Sequence, residues 1–256
     1  MLSAQPNYDP KENLVLYLIN HPEIKPYWGK YINHEFVKQI VAGKLPLENF
    51  NYYNDQNSYY LQKYLYVQQE LLKLTDNETL LEYIQMVIDV VLAEQREETD
   101  VQRHDDIKKQ TKSPVNQACK DYTAYLVSSI DNPVGGKPNV FRTFLHLSTC
   151  LFGYNCACAN LYNPARRYDL VTRSLVDQTE VSKDLVVPSI DNATYRNWVE
   201  YYLNDDSIKT LRQGQECLQL AFKLDHGEVK LDEIVKIFKQ GVLLEIRFWD
   251  ACLSMK

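Results

Sequence analysis

Glycine and proline are scarce, at 8 and 10 among 256 residues. That is too few for the many turns of a β-rich or α/β chain. An excess of positive charge is lacking too: the formal net charge is −6 and no basic cluster interrupts it. A nucleic-acid partner, which needs a basic face for phosphate, is therefore not expected. The six cysteines, at 119, 150, 156, 158, 217 and 252, show no framework spacing. They read as free thiols of a reducing, cytoplasmic setting. "CAC" at 156–158 is too short for a Cys-x-x-Cys redox or zinc motif and reads as packing. The start, "MLSAQPNYDPKENL", has no basic stretch followed by an apolar run, so a secretory signal is not expected.

What is present is helical. Hydrophobic residues make up 45% of the chain, enough for a sizeable core, and long segments repeat with the period of a helix. Helices are predicted over 10–20, 23–42, 46–74, 77–98, 114–131, 137–163, 192–203, 206–225 and 228–254, which makes the fold class all-α. "GKLPLENF" supplies a stop at Gly43 and a Pro-led restart, and "DNPVGGKPN" is the clearest loop. No internal repeat is visible. Residues 163–192 have weak periodicity and many charges, and read as an irregular surface excursion. Residues 143–165, "TFLHLSTCLFGYNCACANLYNPA", contain no Asp, Glu, Lys or Arg. Their length would allow a membrane span, but His146, Ser148, Thr149, Asn155 and Asn160 favour the central buried helix of a bundle, so no membrane association is expected.

Three of these helices carry polar groups on faces that should be buried. Steps of three and four from Phe50 give Tyr53, Asn57, Tyr60, Tyr64, Val67 and Leu71, an apolar stripe with one carboxamide in it. Steps from Ile234 give Phe238, Gly241, Glu245, Phe248 and Cys252, a stripe with one carboxylate. On the neutral helix, Cys150 and Tyr154 share a face one turn apart. Tyr122 and Tyr202 add phenols on two further helices. Each has an ordinary structural reading as core, but a buried carboxylate needs a partner or a function. Together they suggest a polar-lined pocket inside a bundle. His146, one turn before Cys150, is either a hydrogen-bonded core histidine or a neighbour that lowers the thiol pKa.

Four stretches resemble one family. "WGKYINHEFVKQIVAGKLPLENFNYYNDQNSYYLQKY" (28–64), "STCLFGY" (148–154), "YRNWVEYY" (195–202) and "LLEIRFWDAC" (243–252) occur in the order and with the residues of the TenA (thiaminase II) family. The resemblance implies a single domain over 1–256 with the heme-oxygenase-like helical bundle fold. A short N-terminal extension (1–22) and the excursion at 163–192 would be additions to it. It implies a homo-oligomer, tetramer or dimer, that hydrolyses thiamin or a thiamin-derived aminopyrimidine in thiamin salvage, with no metal and no organic cofactor. By position, Cys150 matches the nucleophile and Glu245 the general acid/base. Tyr60, Tyr122, Tyr154 and Tyr202 match the tyrosines of the pyrimidine pocket. Asn57 stands where the family has an Asp that holds the pyrimidine. The amide can still offer an acceptor and a donor, but the negative charge is lost. The rival expectation is therefore a non-catalytic relative that binds a pyrimidine-like ligand or acts through assembly.

Overall fold

The computed structural model describes residues 8–104, 113–133, 135–163 and 189–255. The helices in chain order are α1 (Leu14–Asn20), α2 (Lys25–Ile32), α3 (Glu35–Val41), α4 (Leu47–Leu71), α5 (Glu78–His104), α6 (Gln117–Asp131), α7 (Val140–Leu161), α8 (Ala193–Leu203), α9 (Asp205–Leu224) and α10 (Leu231–Ser254). Asparagine starts six of them. Asn13, Asn77, Asn116, Asn139, Asn192 and Asn204 each accept a hydrogen bond from a backbone N–H in the first turn. Such caps satisfy donors that the helix itself leaves unpaired, and each is worth about 1 kcal/mol.

The neutral helix α7 is the centre of the bundle. It packs against α2, α6, α8, α9 and α10, and its residues from Thr143 to Thr149 are all buried. Among the described residues, no helix is long and apolar enough to cross a membrane. Two glycines set how closely its neighbours approach. A Cβ on Gly153 of α7 would overlap the ring of Tyr31 on α2, and a Cβ on Gly241 of α10 would lie 2.6 Å from Thr149 Oγ1. α4 lies alongside α6 and α5, and α10 runs between α7, α6 and α2.

The expected helix over 23–42 is two helices. Asn33 ends α2, and His34 adopts an extended backbone (φ −65°, ψ 143°). There its Nδ1 accepts from Phe36 N at 3.2 Å and its Nε2 lies 3.2 Å from Asp250 of α10. The histidine thus caps α3 and ties the break to the last helix. The excursion predicted over 163–192 lies mostly outside the described residues.

Candidate functional site

A cavity of about 340 Å³ opens between α4, α5, α7, α8 and α9. Asn57 and Tyr60 of α4, Cys150 and Tyr154 of α7, and Tyr202 of α8 all line it. The α4 stripe explains the placement of the first two. Phe50, Tyr53, Tyr64, Val67 and Leu71 anchor that face in the core, and Asn57 falls where the stripe meets the cavity. It is half-buried, and among the described residues its carboxamide has no hydrogen-bond partner.

The preceding residues do a different job. Gln56 is fully buried; its Nε2 donates to Pro114 O at 3.1 Å and its Oε1 accepts from Asn116 N at 2.9 Å. Asp55 Oδ2 accepts from Ser113 N at 2.8 Å. The fully buried carboxamide of this stretch is thus Gln56, which tethers the entry to α6, and Asn57 is left to face the cavity.

Tyr122 and Glu245 do not line the cavity, contrary to the expectation that both stand around it with Asn57, Cys150 and Tyr202. The Tyr60 ring packs on the Tyr122 ring at 4.8 Å, which covers it, and leaves Tyr122 only 1% exposed. The two hydroxyls are 3.4 Å apart, with Tyr60 the donor, and Tyr122 in turn donates to Glu245 Oε1 at 2.6 Å. Thr149 Oγ1 is 3.4 Å from the same Tyr122 oxygen. A chain of hydroxyls therefore runs from the cavity wall at Tyr60 to a carboxyl group with no solvent exposure. Glu245 Oε2 makes no hydrogen bond of full geometry, although the Tyr31 hydroxyl lies close enough to favour the ionised form.

Burial governs the protonation of these groups. It pushes Glu245 up to about 8, against the opposing hydrogen bonds from Tyr122 and Tyr31. The carboxyl is therefore mostly protonated near neutrality. Burial also holds the half-buried Cys150 well above the usual thiol range, followed by the charge of Glu245, while the nearby Tyr60 hydroxyl acts the other way. The push from Glu245 disappears whenever that group is protonated. Desolvation likewise keeps Tyr60, Tyr122, Tyr154 and Tyr202 as neutral phenols. His146 is a core histidine: its Nδ1 lies 2.7 Å from Arg142 O, its ring packs on Tyr125 at 4.5 Å, and burial lowers its pKa. It is not a cationic neighbour of the thiol.

Cys156 and Cys158 are buried, as packing residues should be. No cluster of three His, Cys, Asp or Glu side chains suited to a metal ion occurs among the described residues. Sequence reasoning passed over Glu94 of α5, which lines the cavity, Tyr31, a neighbour of the buried carboxyl, and Thr149, which meets the Tyr122 hydroxyl. Glu94 follows Val87, Val90 and Val91 at helical spacing on the same wall, a signal that periodicity could have supplied.

Residues 21–255 match the model of the TENA/THI-4/PQQC family. The chain belongs to that family. It is 27% identical over 255 residues to the hydroxymethylpyrimidine/phosphomethylpyrimidine kinase THI21 of Saccharomyces cerevisiae, which covers 97% of this chain and 41% of that protein. The TENA/THI-4 chain thus spans about two fifths of that relative's length. A TenA family transcription regulator from Silicibacter sp. TM1040 superposes with a TM-score of 0.70 at 17% identity, covering 91% of this chain and 93% of that one. A candidate TenA-like thiaminase from Sulfolobus solfataricus superposes at 0.63 with 20% identity, covering 94% and 96%. The all-α bundle is the heme-oxygenase-like fold of these TENA/THI-4 structures.

Proposed function

We propose that this TENA/THI-4 protein hydrolyses the bond between an aminopyrimidine and the group on its methylene carbon, with thiamin or a thiamin-derived aminomethylpyrimidine as substrate. The observation that carries this reading is the arrangement of Cys150, Asn57 and Tyr60 on one cavity with the Tyr60–Tyr122–Glu245 chain behind them. Asn57 accepts from the exocyclic amine of the ring and donates to a ring nitrogen. Tyr154 and Tyr202 pack against its faces. Cys150 rests as a thiol, so attack needs its proton removed. That proton passes through Tyr60 and Tyr122 to Glu245 in the minor ionised fraction that a value of about 8 leaves near neutrality.

The thiolate then adds to an electron-poor ring carbon. The bond from the methylene to the leaving nitrogen breaks: an ammonium leaves as ammonia, which takes up the proton that the attacking water loses, and the thiazolium of thiamin leaves as neutral thiazole. Water adds to the exposed methylene, the C–S bond breaks, and the aromatic ring returns with Cys150 free. In sum, a protonated aminomethylpyrimidine and water give hydroxymethylpyrimidine and ammonium. The assembly of the chain into a homo-oligomer and its place in thiamin salvage belong to the same proposal.

A second reading is a pyrimidine-binding relative without turnover. The neutral Asn57 and a thiol held protonated by burial favour it. The deciding experiment incubates the protein with 4-amino-5-aminomethyl-2-methylpyrimidine and with thiamin, and follows ammonia and hydroxymethylpyrimidine. Turnover that vanishes in Cys150→Ser, with binding retained, is expected. Binding with no turnover in the parent protein would establish the second reading, and turnover unchanged in Cys150→Ser would remove the thiol from the reaction.

A further inference from the structure

Glu245 is met by two phenols, one of which has no place in the chain of hydroxyls from the cavity. Tyr122 of α6 donates to its Oε1 at 2.6 Å. The other is Tyr31 of α2, which does not line the cavity. It is fully buried, with its ring 5.7 Å from Trp28 and 4.8 Å from Trp249. Gly153 of α7 makes room for it: a Cβ there would overlap the hydroxyl oxygen as well as the ring. The Tyr31 hydroxyl donates to Thr149 O at 3.5 Å, the outer limit of a hydrogen bond, and lies within reach of the Glu245 carboxyl. Oε2 is the carboxyl oxygen that Tyr122 leaves unpaired. The titratable groups that face Glu245 are Tyr31 from α2, Tyr60 from α4, Tyr122 from α6, and Cys150 and Tyr154 from α7. All are neutral near pH 7. α3 also packs on α10, but its His34 meets Asp250 instead.

We propose that Tyr31 is a positioning residue for Glu245: its hydroxyl accepts from the protonated carboxyl and donates to the ionised one, so the acid changes state without moving. The inference rests on the aminopyrimidine reading above, in which Glu245 receives the thiol proton, and adds the group that readies it to do so. Tyr60 donates to Tyr122, and Tyr122 to Oε1. The proton of neutral Glu245 therefore sits on Oε2. There the Tyr31 oxygen accepts it, while the Tyr31 proton points to Thr149 O. When Glu245 ionises, rotation of the hydroxyl about its C–O bond turns that proton to Oε2, and each carboxylate oxygen then holds one phenol. A hydrogen bond to a carboxylate is about twice as strong as one between neutral groups. Tyr31 thus favours the form that can take the proton from Cys150. A phenylalanine in its place would fill the same space and leave a charged oxygen bare in a dry site.

The test compares the full chain with its Tyr31→Phe variant in two ways. Infrared difference spectra between pH 6 and 10, with Glu245→Gln as the blank, follow the carboxyl directly and need no substrate. The midpoint is expected to rise by about one pH unit in Tyr31→Phe, the gap between a charge-assisted and a neutral hydrogen bond. Turnover of 4-amino-5-aminomethyl-2-methylpyrimidine should fall about tenfold at pH 7 and return to within about twofold of the parent at pH 9, as the ionised fraction recovers. An unchanged infrared midpoint in Tyr31→Phe would overturn the proposal. A loss of turnover equal at every pH would overturn it too, and would mark Tyr31 as structural. If the parent turns over no aminopyrimidine, that reading fails, and the infrared midpoint alone decides whether Tyr31 holds the carboxyl.

Discussion

Consecutive side chains on a helix point about 100° apart, and α4 uses that divergence to separate two tasks. Gln56 satisfies a backbone donor and a backbone acceptor at 114–116, whereas Asn57 offers its amide to the cavity. The two carboxamides should therefore respond differently to substitution. Gln56→Leu strands the Asn116 N–H in a buried site and should cost about 1–3 kcal/mol in denaturant unfolding. Asn57→Asp should leave stability nearly unchanged and raise pyrimidine turnover about ten- to a hundredfold, since an ionised acceptor strengthens the contact that stabilises a protonated ring. Steady-state kinetics and urea melts on the pair check both outcomes. Asn57, Cys150, Tyr154 and Tyr202 were legible as site candidates because each stands in a recognisable motif. Glu94 was not: it sits in "LAEQREETD", where a charged residue reads by default as solvated surface.

At the scale of the helices, α4, α7 and α10 could be read directly. Two have a one-sided stripe, and the third has no charge over its buried length. The break between α2 and α3 could not, because neither glycine nor proline marks it. His34 makes it by capping α3 with a ring nitrogen and reaching Asp250, a tertiary contact that no local pattern shows. The meeting of α2 and α7 depends on a missing side chain instead. Tyr31 is fully buried and packs against Trp28 at 5.7 Å and Trp249 at 4.8 Å, so its ring cannot yield to a methyl at position 153. Gly153→Ala should destabilise the protein by about 1–3 kcal/mol or more. It should also lower any activity, because the displaced Tyr31 is a neighbour of Glu245. Thermal melts of Gly153→Ala beside Gly29→Ala, where a Cβ meets nothing within 4 Å, separate overpacking from loss of a glycine.

For the molecule as a whole, one buried acid ties stability to pH. Glu245 goes from an ordinary value of 4.5 to about 8 on burial. Between those values the folded state keeps a proton that the unfolded chain releases, so unfolding becomes easier as pH rises. Its stabilising contribution is complete below the lower value and is lost progressively up to the higher one. The slope approaches about 1.4 kcal/mol per pH unit for this single group. Glu245→Gln should flatten stability across that window and make the protein more stable than the parent at pH 8, by roughly 2–5 kcal/mol, while abolishing turnover. Chemical denaturation between pH 5 and 8 gives the comparison. The aromatic wall of the cavity has an optical consequence. Trp249 Nε1 donates to Tyr154 at 3.1 Å, and Trp198 lies 5.0 Å from Tyr202. Two of the three tryptophans are thus coupled to rings that any occupant must touch, and the protein's own ultraviolet emission becomes a label-free gauge of whether the cavity is filled.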